Sequence, residues 1–211
     1  MLVETIPVGL LQCNCTILAC DTTREAIVID PGDEAEAILD AVRANGLDVK
    51  WVLHTHAHID HVMGTGGVVR ETGAKPRLHA GDVFLYENLP MQGGFLGLTP
   101  PPAPPLAEPL SDGEEIRFGR ETLRVLHTPG HTPGSVCMKV GELLLSGDTL
   151  FKGSIGRTDL WGGDFDTILA SLRDKILPLD DDVRVVPGHG PDTRIGIERR
   201  KNPFLLEIGS R

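Results

Sequence analysis

Residues 49–61 read Val49-Lys50-Trp51-Val52-Leu53-His54-Thr55-His56-Ala57-His58-Ile59-Asp60-His61, and the meaning of this stretch decides the fold. Val49 to His54 reads as a strand. The six residues from His56 to His61 then bring together three imidazoles and a carboxylate. Neutral imidazole and carboxylate oxygen are the ligand types that hold a divalent metal such as zinc. The spacing of two puts His56, His58 and Asp60 on one side of an extended chain, and His61, next in line, can face a second ion. Val62 to Thr72 contains glycines but can form a helix. A ligand cluster at the end of a strand, opening a helix, is where α/β proteins place their sites.

Three further candidates share that placement. His131 lies in Thr128-Pro129-Gly130-His131-Thr132-Pro133-Gly134, where Pro-Gly pairs mark tight turns after a strand over Thr122 to Leu126. Asp148 ends the apolar run Leu143-Leu144-Leu145-Ser146-Gly147. His189 follows Val183-Arg184-Val185-Val186-Pro187-Gly188. Each sits at the C-terminal end of a β-segment or in the loop beyond it. Unrelated surface histidines would not share that position.

Elsewhere the chain alternates between element types. Val3 to Ile6, Cys15 to Ala19 and Ala26 to Asp30 read as strands, and Val136 to Val140 with Glu142 to Leu145 reads as a hairpin about Gly141. Glu34 to Ala44 reads as an amphipathic helix with Ala37, Ile38, Ala41 and Val42 on one face, stopped by Asn45-Gly46. Asp164 opens another helix, with Ile168, Leu169, Leu172 and Ile176 as its inner stripe. Asn88 to Leu110 reads as irregular and holds the Pro-rich stretch 99–105, either a loop that rims the site or a surface connection between two halves. Tyr86 reads as a loop aromatic. The mixture fits strands in the centre and helices outside.

The H-x-H-x-D-H run, the later His131 and Asp148 and the final Gly188-His189 together resemble the motif set of the metallo-β-lactamase superfamily, from about Asp30 to His189. The resemblance implies an α/β fold, a four-layer αβ/βα sandwich with two metal ions at one edge. It places His56, His58 and His131 on the first ion and Asp60, His61 and His189 on the second, with Asp148 bridging. Asp30 matches the family's buried Asp behind the ligands; read alone, it is equally a turn former before Pro31-Gly32. Gly147-Asp148-Thr149-Leu150-Phe151, Gly153-Ser154-Ile155-Gly156-Arg157-Thr158-Asp159, Pro187-Gly188-His189-Gly190-Pro191, and Glu198-Arg199 with Asn202-Pro203-Phe204 look like the short bacterial hydroxyacylglutathione hydrolases of the glyoxalase II type. That branch cleaves the thioester S-lactoylglutathione. The expected organisation is one domain over residues 1–211, without the helical C-terminal glutathione-binding domain of full-length glyoxalase II. The implied cofactors are two divalent ions, zinc first, with iron and manganese as alternatives.

Length and composition bound this picture. The 211 residues, 40% of them hydrophobic, suffice for one sizeable core. Cys13, Cys15, Cys20 and Cys137 form no C-x-x-C pair and read as reduced core thiols of a cytoplasmic protein. Met1-Leu2-Val3-Glu4 offers no basic leader and no stretch approaches a membrane span. The formal charge of −10 argues against nucleic acid as a partner. Locally the sign can reverse, because two divalent cations outweigh Asp60 and Asp148. The expected partner is therefore a small anionic thioester, with no nucleic acid and no membrane.

Water on zinc reaches a pKa of about 7, so hydroxide held against Asp60 is the expected nucleophile and Asp60 the expected catalytic carboxylate. A thiolate, of pKa about 8.5, leaves without help, whereas an amide nitrogen needs a proton donor, and the sequence shows no dedicated acid beyond the ligands. Arg157 is a candidate for a substrate carboxylate or for an ion pair with Asp159, and Lys152 is a weaker candidate of the same kind. His54, His79 and His127 read as packed or solvated. The main rival is a persulfide dioxygenase with one iron on His56, His131 and Asp148, although that family usually has Asp directly after its last His, where this chain has Gly190. A β-lactamase, an RNA-processing nuclease and a non-enzymatic metal-binding protein rank below it.

Overall fold

Alternation of small and branched side chains builds the first sheet. The computed structural model describes residues 1–209. Strands β1 (Leu2–Val8), β2 (Cys13–Ala19), β3 (Glu25–Ile29), β4 (Asp48–Leu53) and β5 (Lys75–Arg77) lie side by side in chain order. The first three pair antiparallel and the last three parallel. A parallel pair needs a crossover, supplied by α1 (Ala35–Ala44) and then by α2 (Ile59–Val62) with α3 (Thr65–Thr72). In β3, Ala26 and Val28 pack toward α1 and α3, while Ile27 and Ile29 point into the core on the opposite face. That period of two is what a strand buried on both faces requires. The buried stripe of α1 is Ile38, Leu39 and Val42; Ala37, expected on that face, is exposed. The larger side chains set the helix rotation because they gain more from burial.

Between the sheets the chain adds α4 (Val83–Glu87) and α5 (Leu89–Leu96). Sequence reading gave an irregular segment from Asn88, and α5 corrects it. Pro90 is tolerated in the first turn, but Gly93 and Gly94 make the stretch a poor helix former. Tertiary bonds compensate: the Gln92 side chain accepts from the Ile59 amide at 3.0 Å and donates to the Ala57 and Leu85 carbonyls at 3.1 and 2.9 Å. Tyr86 is a buried helical residue whose hydroxyl donates to the Pro104 carbonyl at 2.9 Å. Residues 100–105 thus lie along α4, away from the candidate ligands, as a connection between the halves.

The second sheet has the order β13-β12-β9-β8-β7-β6. Its strands are β6 (Glu115–Phe118), β7 (Glu121–His127), β8 (Val136–Val140) and β9 (Leu143–Gly147), then, past the small hairpin β10 (Leu150–Phe151) and β11 (Ser154–Ile155), β12 (Arg184–Pro187) and β13 (Thr193–Arg194). β8 and β9 form the hairpin expected about Gly141. Its outer face is covered by α6 (Phe165–Ser171), α7 (Ile195–Lys201) and α8 (Pro203–Gly209). Asp164 caps α6 by accepting from the Thr167 amide at 2.7 Å. Ile168, Leu169, Leu172 and Ile176 are all buried, the helix continuing through a widened turn at Leu172–Ile176.

The two sheets face each other across a core of Leu18, Ile27, Leu53, Leu123, Val125, Met138 and Leu145. With helices on both outer faces, the architecture is the αβ/βα sandwich.

Candidate metal centre

All seven candidate ligands meet at one edge of this sandwich. His56 and His58 occupy the turn after β4, and Asp60 and His61 the first turn of α2. His131 sits in the β7–β8 loop, Asp148 just past β9 and His189 just past β12. The sheets are stitched together here. The Val136 amide donates to the Thr55 carbonyl at 2.8 Å, and the Asn14 amide to the Gly188 carbonyl at 2.8 Å. The Asn14 side chain donates to the Pro187 and Gly190 carbonyls, both at 2.9 Å. A Cβ on Gly188 would lie 2.1 Å from Asp148 Oδ1 and 2.8 Å from His61 Cε1, so only glycine fits between them.

The donors form two groups. His56 Nε2, His58 Nδ1 and His131 Nε2 are separated by 2.9, 3.1 and 3.2 Å. Three ligands each about 2.05 Å from one tetrahedral ion would be about 3.3 Å apart. In the second group, His61 Nε2 lies 3.2 Å from His189 Nε2, and Asp60 Oδ2 lies 3.1 Å from His189 Nε2 and 3.6 Å from His61 Nε2. Asp148 lies between them, with Oδ1 3.5 Å from His61 Nε2 and Oδ2 3.6 Å from His131 Nε2. The spacing of two holds for His56 and His58. Asp60 departs from the expected common side because the chain turns into α2 at Ile59, which swings the carboxylate toward His61 and His189.

Tautomers follow from the partners behind the rings. His131 Nδ1 donates to the Arg157 carbonyl at 2.7 Å and His189 Nδ1 to the Leu11 carbonyl at 2.9 Å. His61 Nδ1 donates to Asp30 Oδ2 at 3.0 Å. The Thr55 hydroxyl donates to Asp30 Oδ2 at 2.6 Å, which leaves its oxygen to accept from His56 Nδ1 at 3.1 Å. Each of these four rings therefore donates through Nδ1 on its far side and turns Nε2 inward, where a neutral ring presents a lone pair. Facing lone pairs repel unless a cation stands between them. Asp148 Oδ1, buried and without a hydrogen-bond partner, lacks the same thing. The donor set fits a pair of divalent ions.

Charge is distributed accordingly. Burial, aided by the neighbouring imidazoles, pushes His56 well below the usual range, and burial with His131 beside it brings His58 down to about 3. Both rings are neutral ligands at pH 7. Burial also works against protonation of His61, but Cys13, Asp60, Asp148 and Asp30 around it win and raise it well above the usual value. His189 is likewise raised, burial being outweighed by its hydrogen bond to Asp60 and by Asp148. In the metal-free protein a proton on these rings stands where a cation would. Burial would raise Asp60, but His61 and His189 hold it below the usual carboxylate range.

Two carboxylates support the ligands from behind. Asp30, with a left-handed backbone (φ 51°), also accepts from the Thr55 amide at 2.7 Å. Asp82, which sequence reasoning missed, is fully buried and joins the two ligand loops. It accepts from the Ala57 amide at 3.0 Å, the Thr132 hydroxyl at 2.7 Å and the Gly134 amide at 2.6 Å. Its place past the short strand β5 was the one signal available, the same strand-end position as the ligands.

The donors open into a cavity of about 590 Å³. Arg157 lines it but forms a two-point ion pair with Asp159 at 2.7 and 2.8 Å. Lys152, in the exposed turn between β10 and β11, is not among the described residues that line it. His54 is buried against the Thr65 hydroxyl at 3.2 Å, and His79 stacks on His127 with ring centroids 3.9 Å apart. The four cysteines are buried and free; burial pushes Cys13, 3.5 Å from His61 Nδ1, up to about 11. No helix among the described residues is long and apolar enough to cross a membrane.

Known proteins are similar to this chain in sequence and in fold. The chain is 39% identical to hydroxyacylglutathione hydrolase GloC of Haemophilus influenzae, over 97% of this chain and 98% of that one. Among solved structures it is similar to TTHA1623 in a di-iron-bound form (TM-score 0.88, 40% identity, 96% of this chain and 100% of that one). It is also similar to the B3 metallo-beta-lactamase BLEG-1 (TM-score 0.87, 38% identity, 97% and 99%). The family profile of the metallo-beta-lactamase superfamily matches residues 8–189, a span that takes in every candidate ligand, and the chain belongs to that superfamily.

Proposed function

We propose that this protein is a metal-dependent hydrolase of thioesters, with S-lactoylglutathione the first substrate to test. In this reading His56, His58 and His131 hold one divalent ion and Asp60, His61 and His189 the other, with Asp148 shared. Zinc suits the donor set first, iron and manganese next. When bound, such ions acidify water and polarise an acyl carbonyl. Asp60, kept ionised at the cavity wall, orients the attacking water and accepts its proton. Asp30, the Leu11 carbonyl and the Arg157 carbonyl keep the imidazoles from turning.

The observation that carries the choice of thioester is that, beyond the metal-binding side chains themselves, no described residue lining the cavity is placed to protonate a leaving group. Asp159 is held down to about 2 by Arg157, whose guanidinium keeps its own proton. Gln92 is engaged on three backbone groups, and the nearby Tyr86 hydroxyl is turned to Pro104. A thiolate needs no such donor. The similarity to GloC supports the same choice. A small-molecule partner and a reducing, cytoplasmic setting accord with the net charge and the four free thiols.

The test is turnover by protein of measured metal content on S-lactoylglutathione, a chromogenic β-lactam and, with oxygen uptake, glutathione persulfide. Thioester hydrolysis that tracks metal content supports the proposal. Oxygen uptake or β-lactam cleavage without thioester turnover overturns it.

A further inference from the structure

The cavity in front of the donors has walls that a purely polar substrate would not use. Leu11, Phe95, Leu96, Leu160 and Trp161 line it, and all five are among the large hydrophobic side chains exposed to solvent. Phe95 is 78% exposed and Trp161 44%. They come from different elements, α5 and the loop before α6, yet their rings meet edge to face with centroids 6.3 Å apart. Exposed apolar side chains gathered around a cavity mark a binding surface, whereas scattered ones do not.

These walls are tied to the ligands by the backbone. Leu11 offers the carbonyl that orients His189, and Arg157, four residues before Trp161, offers the one that orients His131. Helix α5 is fastened to the Ala57–Ile59 turn through Gln92. The apolar surface is therefore held at a set position relative to the donor atoms. The charges beside it are self-compensated. Arg157 is the one cation among the described lining residues, and Asp159 occupies it on two points. The wall rewards apolar contact rather than a second carboxylate.

Resting on the thioester reading above, we infer that the substrate carries an apolar substituent, longer than a lactoyl group, that packs against the wall formed by Phe95 and Trp161. Its test is calorimetric binding of S-methylglutathione and S-hexylglutathione, unreactive thioethers, to the metal-loaded protein, with turnover of S-lactoylglutathione and of S-hexanoylglutathione measured on the same samples. The hexyl compound binds about tenfold more tightly than the methyl compound, since about two of its added methylenes leave water at the open wall. Phe95→Ala and Trp161→Ala each narrow that ratio to about threefold or less. Equal affinity of the two compounds, or a ratio unchanged in both variants, overturns the inference. Turnover without chain-length preference removes the apolar subsite and keeps the hydrolase. Preference without turnover keeps the subsite and removes the hydrolase.

Discussion

The Asp30 carboxylate accepts a hydrogen bond from His61 Nδ1 at 3.0 Å, from a position 31 residues earlier in the chain. One side chain thereby decides which nitrogen of His61 faces the second donor group. Asp30→Asn keeps a residue type at home in the left-handed backbone but can present an amide N–H to His61, which favours the tautomer with its proton on Nε2. The expected result is a folded protein with affinity for the second ion reduced about 10- to 100-fold. Asp30→Ala also strands the Thr55 amide and hydroxyl and costs about 3 kcal/mol of stability. Metal stoichiometry and urea melts check both; a full second equivalent in the Asn variant contradicts the assignment.

Asp60 touches His189 on one side and the cavity on the other. Asp60→Ala is expected to lower turnover at least about 10²-fold and to reduce occupancy of the second ion. Kinetics on samples of known metal content separate the two effects. Full activity in that variant would rule out its assigned role.

Asp82 binds both ligand loops and touches no donor atom. Asp82→Asn exchanges one acceptor oxygen for a donor, which faces either the Gly134 amide or the Ala57 amide and Thr132 hydroxyl together. The expected loss is about 2–3 kcal/mol of stability, with weaker affinity at the three-histidine group and little change at the other. Metal titrations that found both groups weakened alike would sink the idea.

Metal binding should release protons unevenly. His61 and His189 are raised, so at pH 7 an incoming ion displaces protons from that group and its affinity climbs with pH until the raised values are passed. His56 and His58 are already neutral and release none. Calorimetry in buffers of different ionisation heat should show about one to two protons released at the Asp60 group. Equal release from both groups would contradict these charge states.

Much of the fold was legible because the apolar runs and their Pro-Gly boundaries are local signals. The strand at Ala26 to Ile29 and the Asp164 cap needed only neighbouring residues to be read. Helix α5 was not legible, since its glycines argue against it and Gln92 stabilises it through residues up to 35 positions away. Glu198 and Asn202 entered the sequence reading only as part of the resemblance to the short hydroxyacylglutathione hydrolases, with no role assigned. In the structure Glu198 accepts from the Gly153 amide at 2.8 Å, and Asn202 donates to the Ser154 carbonyl at 3.0 Å. They fasten α7 and the start of α8 to the turn of β10 and β11.

The amino-acid sequence alone determined the chemistry of the centre: five imidazoles and two carboxylates, each just past a strand, because donor type and strand-end position are written in adjacent residues. The family resemblance already implied how those seven divide into two groups; only the tertiary structure decided which nitrogen each ring presents, that Asp82 joins the loops, and that Phe95 and Trp161 meet over the opening. Those outcomes depend on contacts between residues tens of positions apart, whose geometry exists only once the two sheets have packed.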